Sequence, residues 1–133
     1  MQNVSAIKIL IADDDPQFSD ILHLLLQKEG YQVDIANNEK SVLEAISQKN
    51  YNLILQDVFF PSKEQGLSML QKLYESIALD NTAIILMTSM PTKLFKEEID
   101  LDKYLQIAKQ FISKTEDNNV IIASIKQVLA EQN

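Results

Sequence analysis

Six polar side chains in this sequence stand directly after short apolar runs, where strands of a sheet would end. They are Asp13, Asp14, Asp15, Asp57, Thr88 and Lys114. Ligands of α/β sheets bind beyond the carboxyl ends of the parallel strands, so we expect these side chains to meet at one edge. Carboxylates, a hydroxyl and an ammonium group together suit a divalent cation and an oxygen-rich anion.

The carboxylates restrict what this edge can bind. Two carboxylates about 4 Å apart repel each other by roughly 4 kcal/mol at an effective dielectric constant near 20, so a cation or a proton must compensate them. Oxygen ligands without histidine or cysteine favour Mg²⁺. Lys114 adds a fixed positive charge and Thr88 a hydroxyl donor, which suits a phosphoryl group. Asp57 is the best candidate nucleophile, whereas Asp13 and Asp14 are better suited to hold the metal.

Two kinds of apolar segment alternate along the chain and predict the elements that carry these side chains. Short runs of Ile, Val and Leu predict five strands, at residues 7–12, 33–36, 53–55, 83–87 and 111–112. Longer stretches with helical spacing lie between them. Strands that are apolar on both faces and alternate with helices predict a parallel sheet covered on both sides. The acid-rich residues 92–108 leave the fourth connection undefined.

The first helix has the clearest sequence pattern. Its predicted buried stripe, spaced i, i+3, i+4 and i+7, is Phe18, Ile21, Leu22 and Leu25. Asp15 is expected to cap this helix, with Pro16 at its first position and Gly30 just beyond its end. Leu24 and Leu26 fall outside the stripe, where edge packing and a patch for a partner helix both stay open.

Composition and charge bound the class of protein. The 133 residues suffice for one domain, which we expect to span residues 1–133 with a core of about 6–131. With no cysteine, disulfide scaffolds and thiolate sites are excluded. A net charge of −7 without a basic run argues against nucleic-acid binding. No signal peptide or apolar stretch of about 20 residues is present, so we expect a cytoplasmic protein that does not associate with a membrane.

Four fragments in order along the chain resemble the response-regulator receiver family of two-component systems, the family of chemotaxis-regulator-like domains. They are ILIADDDP at 9–16, YNLILQDVFFP at 51–61, ILMTS at 85–89 and FISK at 111–114. Each fragment is weak alone, but their order and spacing extend the resemblance over nearly the whole chain. It implies a doubly wound, flavodoxin-like (βα)5 fold with strand order 2-1-3-4-5.

The resemblance also implies a role for each site residue. Asp57 would be the phosphoacceptor, with Thr88 and Lys114 contacting the phosphoryl oxygens. The implied ligands of Mg²⁺ (or Mn²⁺) are Asp14, Asp57, the backbone carbonyl of Phe59 and, through water, Asp13. Thr88 and Phe111 would form the switch, in which the aromatic ring turns inward when the hydroxyl residue moves. The implied phosphodonor is a histidine kinase or a phosphotransfer protein, and the output is a downstream protein or a fused output domain.

The sequence departs from the family pattern in four places, and one of them is Phe111, which lacks a tyrosine hydroxyl. Thr115 follows the lysine where the family usually has a proline. The loop PSKEQG at 61–66 and the segment from Thr88 to Lys114 are longer than usual. None of these differences removes a residue that carries chemistry.

Two other functions remain open from the sequence. One is a pseudo-receiver that keeps the fold as an interaction module independent of phosphorylation. The other is a small Mg²⁺-dependent phosphatase resembling the haloacid dehalogenase superfamily, since Asp13 and Asp15 fit its D-x-D arrangement loosely. That enzyme reading leaves Asp57 without a role, and the shortness of the chain also disfavours it.

Overall fold

In the computed structural model, five parallel strands form one sheet. The structure describes residues 7–58, 68–69, 71–73, 75, 82–89 and 108–131. The strands are β1 (Lys8–Ala12), β2 (Gln32–Ala36), β3 (Leu53–Asp57), β4 (Ala83–Thr88) and β5 (Gln110–Ser113). Their order across the sheet is β2-β1-β3-β4-β5. The predicted sheet and its strand order are therefore confirmed.

Helices cover both faces of this sheet. They are α1 (Pro16–Lys28), α2 (Glu39–Gln48) and α3 (Asn118–Ala130), and residues 68–69, 71–73 and 75 are also helical. No helix in the described part of the chain combines the length and the apolar character that a membrane crossing requires. The predictions for Phe59, for the loop at 61–66 and for residues 92–107 lie outside the described residues.

The core has two layers because successive strand residues point to opposite faces. On one face Leu10, Ile54 and Leu86 pack with α2 and the helical residues near position 70. On the other face Ile9 and Leu55 pack with α1 and α3. The central strands β3 and β4 are buried along their whole length, which explains why they read as continuous apolar runs.

The ends of α1 follow the prediction. Asp15 caps the helix with Oδ1, which accepts the backbone N–H of Gln17 at 3.1 Å and that of Phe18 at 3.5 Å. Pro16 is the first helical residue, where its missing N–H costs nothing. Gly30 follows the end of the helix with φ 95°, a value that favours glycine.

The buried stripe of α1 differs from the predicted one. Ile21 is 53% exposed and Leu26 is fully buried, so both assignments were wrong. The buried positions are Ser19, Leu22 and Leu26, at i, i+3 and i+7. Ser19 can be buried because its hydroxyl donates to the carbonyl of Asp15 at 3.0 Å. A pattern of apolar residues does not detect a buried serine that hydrogen-bonds within its own helix. The predicted buried face of α1 was therefore shifted from the observed one.

Candidate functional site

The ends of four strands bring the candidate residues to one edge of the sheet. Asp13 follows β1, Asp57 ends β3, Thr88 ends β4 and Lys114 follows β5. The backbone at these ends is held by hydrogen bonds that continue the ladder. The N–H of Asp13 donates to Ala36 O at 3.1 Å, and the N–H of Lys114 donates to Thr88 O at 2.7 Å. The site is therefore built on fixed strand ends rather than on long loops.

Three carboxylates form the centre of this edge. One oxygen each from Asp13, Asp14 and Asp57 lies within 4.8 Å of the others. Asp13 is fully buried and Asp57 is 4% exposed, whereas Asp14 lies at the solvent-exposed side. An all-oxygen set that is open on one side fits a hard divalent cation that keeps part of its water shell, as Mg²⁺ does.

Lys114 forms ion pairs with two of these carboxylates. Its Nζ lies 2.5 Å from Asp13 Oδ2 and 3.1 Å from Asp57 Oδ2, and its side chain is only 8% exposed. Burial by itself lowers the pKa of Lys114, but the hydrogen bond to Asp13 and the charge of Asp57 outweigh it, so the pKa is raised. Lys114 therefore remains an ammonium ion at neutral pH.

Two further contacts hold the charged groups in place. The second oxygen of Asp13 accepts the backbone N–H of Asp15 at 2.9 Å, so both carboxylate oxygens of Asp13 have partners. The ring of Phe18, in the first turn of α1, lies 4.8 Å from the ammonium of Lys114. At that distance the ring face attracts the cation. Asp15 caps α1 with its own side chain, which confirms the predicted capping role.

Thr88 and Phe111 belong to the opposite face of the sheet. Phe111 is half-buried against the core layer that contains Leu86, its register partner on β4. Strand alternation places Thr88, which is 2% exposed, on that same face two residues beyond Leu86. Thr88 is in turn the register partner of Ser113. The predicted hydroxyl and aromatic residues thus share one face, while the carboxylates and the lysine meet on the other.

Three residues near the site were not singled out from the sequence. Phe18 was assigned only to the core stripe, and Ser113 was passed over between Phe111 and Lys114. Gln56, directly before Asp57, is fully buried, and its amide donates to the carbonyl of Asp57 at 3.1 Å. A polar residue inside an otherwise apolar strand was a signal for Gln56. The contact between Phe18 and Lys114 follows no periodic pattern in the sequence, so it could not be predicted in this way.

The family of this chain follows from a match that covers most of its length. The family model described as the response regulator receiver domain matches residues 9–126. This chain belongs to the response regulator receiver family. It is a receiver domain with a phosphoacceptor role rather than a member of a metabolic enzyme family, so the phosphatase alternative is rejected.

Curated relatives of this receiver are named as transcriptional regulators. It is 30% identical over 123 residues to the transcriptional regulatory protein CpxR homolog of Haemophilus influenzae, covering 92% of this chain and 50% of that protein. It is 34% identical over 100 residues to the uncharacterized transcriptional regulatory protein YkoG of Bacillus subtilis, covering 73% and 42%. The receiver thus spans about half the length of the curated relatives it matches.

Solved receiver structures share its fold. A CheY-like response regulator receiver domain protein from Methanospirillum hungatei is 26% identical with a TM-score of 0.78, covering 95% of each chain. The response regulator protein TrrA from Thermotoga maritima, solved in complex with Mg²⁺–BeF, is 27% identical with a TM-score of 0.74. That match covers 92% of this receiver and 98% of TrrA. The flavodoxin-like fold implied by the sequence is confirmed.

Proposed function

We propose that Asp57 is the residue that accepts the phosphoryl group. The observation that carries this proposal is the position of its carboxylate. It lies at the end of the central strand β3, almost fully buried, 3.1 Å from the ammonium of Lys114 and within 4.8 Å of two further carboxylates. The neighbouring ammonium favours the ionised form of a carboxylate, and the ionised form is the nucleophile.

The proposed reaction is an in-line transfer from a phosphohistidine. An oxygen of Asp57 forms a bond to phosphorus while the bond from phosphorus to the donor's imidazole nitrogen breaks, and the electron pair of that bond stays on the nitrogen. In this proposal Lys114 contacts the phosphoryl oxygens as their charge develops, and Thr88 donates a hydrogen bond to them from β4. The donor would be a histidine kinase or a phosphotransfer protein.

The donor set also supports a Mg²⁺ site. We assign the metal to Asp14 and Asp57, with Asp13 held through water and the backbone carbonyl of Phe59 as the remaining protein ligand. Mn²⁺ would satisfy the same oxygen ligands. When bound, the ion would supply positive charge that offsets the negative charge of the carboxylates and of the phosphoryl group. The protein holds the three carboxylates close together. Without the metal, Lys114 forms ion pairs with two of them, Asp13 and Asp57.

Phosphorylation would then act on the opposite face. In this proposal Thr88 moves towards the phosphoryl group, and Phe111, which already packs on that face, turns further inward. Since Phe111 lacks a phenolic hydroxyl, its contribution comes from burial alone. The changed surface would lie around β4 and β5 and would be read by a downstream protein or a fused output domain.

The partners follow from charge and from the relatives. The named transcriptional regulators are about twice as long as this receiver, so we propose that it serves such an output as one module. With a net charge of −7, contact with nucleic acid would fall to the output part rather than to this domain. A cytoplasmic location fits such a role.

Intact-protein mass spectrometry tests the assignment. The protein is incubated with acetyl phosphate and Mg²⁺, beside Asp57→Asn and the matched control Asp20→Asn, an exposed aspartate of α1 outside the cluster. We expect one added phosphoryl group in the parent and in the control, and none in Asp57→Asn. If the parent accepts no phosphoryl group from acetyl phosphate or from a phosphorylated kinase, the chain is a pseudo-receiver. Labelling that survives in Asp57→Asn would overturn the choice of acceptor.

A further inference from the structure

The turn that follows β5 is closed by hydrogen bonds on both sides of Lys114. The backbone N–H of Thr115 donates to Ser113 Oγ at 3.2 Å, and the hydroxyls of Ser113 and Thr115 lie 2.6 Å apart. The N–H of Glu116 donates to the carbonyl of Ser113 at 3.1 Å. We call the two contacts between the side chain of Ser113 and Thr115 the Ser113–Thr115 bracket.

This bracket depends on the residue that departs from the family pattern. A proline at position 115 would have no N–H to donate and no hydroxyl. Its ring would restrict the backbone instead. In this chain the restriction comes from two hydrogen bonds to Ser113, whose side chain is almost fully buried. The buried hydroxyl of Ser113 accepts the N–H of Thr115 and shares a hydrogen bond with the hydroxyl of Thr115, and together these contacts favour one arrangement of the turn.

The bracket surrounds the residue that neutralises the carboxylates. Lys114 is the residue between Ser113 and Thr115, and its own N–H is tied to Thr88 O at 2.7 Å. Its side chain leaves the turn on the face of the carboxylates, while Ser113 faces the side of Thr88, its register partner. The backbone of this turn therefore connects Lys114 directly to Thr88, the hydroxyl residue at the end of β4.

We propose that Ser113 and Thr115 are positioning residues that aim Lys114 at Asp57 and Asp13, replacing the proline that the family uses there. The proposal rests on Asp57 being the phosphoacceptor, since it assigns the bracket a part in that transfer. Neither Ser113 nor Thr115 belongs to the carboxylate cluster that would hold the metal. The bracket acts through the direction of the lysine, so its loss slows phosphoryl transfer without abolishing it.

Substitution of Thr115 can remove the hydroxyl hydrogen bond of the bracket while keeping the backbone one. Thr115→Val keeps the branched shape and the backbone N–H but removes the hydroxyl, and Thr115→Ser restores the hydroxyl. We expect Thr115→Val to accept phosphoryl groups from acetyl phosphate about fivefold more slowly, the effect of losing one hydrogen bond of typical net strength. Thr115→Ser should return to within about twofold of the parent rate, which is close to the limit of such comparisons.

A double-mutant cycle distinguishes aiming of the lysine from general loosening of the fold. In a Lys114→Met background there is no ammonium to aim, so Thr115→Val should cause no further loss of rate. If the loss persists in that background, the bracket is merely structural and the proposal is wrong. Equal rates for Thr115→Val and the parent would also overturn it.

A second measurement does not require phosphorylation and so separates this proposal from the assignment of Asp57. The rate at which an amine-reactive acylating reagent labels Lys114 is followed by peptide mass mapping, with exposed Lys28 as internal control. We expect Thr115→Val to raise labelling of Lys114 several-fold, roughly in line with the loss of one hydrogen bond, and to leave Lys28 unchanged. Even if the parent accepts no phosphoryl group, the labelling rates still test whether the bracket positions Lys114. Unchanged labelling of Lys114 would overturn the proposal.

Discussion

Among the described residues, three groups contact the ammonium of Lys114: the carboxylates of Asp13 and Asp57 and the ring of Phe18. Each attracts a cation, so the ammonium is bound more firmly than a surface lysine would be. The same carboxylates are the ones that a divalent cation would use. Lys114 and the metal therefore compete for the negative charge of the site even though both assist the transfer.

This competition predicts the effect of removing the ammonium. Lys114→Met should bind Mg²⁺ more tightly by at least about tenfold, or about 1.4 kcal/mol, because Asp13 and Asp57 then lack a compensating charge. Isothermal titration calorimetry at fixed ionic strength measures the change. Lys28→Met, which removes an exposed lysine of α1, controls for net charge and should bind Mg²⁺ like the parent. Equal affinities in all three proteins would show that Lys114 does not compete.

At the scale of elements, α1 joins the site to the core. Its first turn holds the capping oxygen of Asp15 and the ring of Phe18, and its next turns pack Leu22 and Leu26 under the sheet. Asp15 thus belongs to the helix, although it adjoins two aspartates of the metal cluster in sequence.

Removal of the cap should affect stability more than chemistry. Asp15→Ala should lower the free energy of unfolding by about 1 kcal/mol, the usual effect of losing an N-cap, and Asp15→Asn should lose much less. Urea denaturation measures the difference. Phosphorylation by acetyl phosphate should proceed at nearly the parent rate in both variants. If Asp15→Ala instead blocks Mg²⁺ binding while its stability is unchanged, Asp15 is a ligand and the capping interpretation is wrong.

An element could be predicted from the sequence where the residues that it buries are apolar. The strands were predictable because β3 and β4 are buried on both faces and carry apolar runs, LIL in β3 and AIILM in β4. The stripe of α1 was misassigned because Ser19 satisfies its hydroxyl locally and is buried. The carboxylates and the lysine were predictable from their places after strands. The contacts of Phe18 and Ser113 were not, since they depend on side-chain directions across the fold.

At the scale of the whole molecule, four of the five strands contribute to one site. The strand order sets β1, β3, β4 and β5 side by side, and β2 lies at the edge beside β1. The three carboxylates come from positions that are far apart in the chain, Asp13 and Asp14 against Asp57. Their mutual repulsion opposes folding, and any cation that binds them stabilises the folded state over the unfolded one.

Binding of Mg²⁺ should therefore raise global stability. At a free Mg²⁺ concentration of about 100 times the Kd, linkage predicts a gain of about 2.7 kcal/mol in the free energy of unfolding. Asp14→Asn should lose most of this gain, and without divalent cations it should be at least as stable as the parent because one repulsive charge is gone. Thermal or urea unfolding with Mg²⁺ and with chelator measures both. A gain of the same size in Asp14→Asn would exclude Asp14 as a ligand.

The distribution of the site along the chain has a consequence during synthesis. A nascent chain whose first four strands have left the ribosome carries every carboxylate of the cluster, but it lacks β5 and Lys114. Lys114 reaches Asp13 and Asp57 only after β5 has paired with β4, through the register that ends at Thr88 and Ser113. The positive charge of Lys114 is thus the last part of the site to be synthesised.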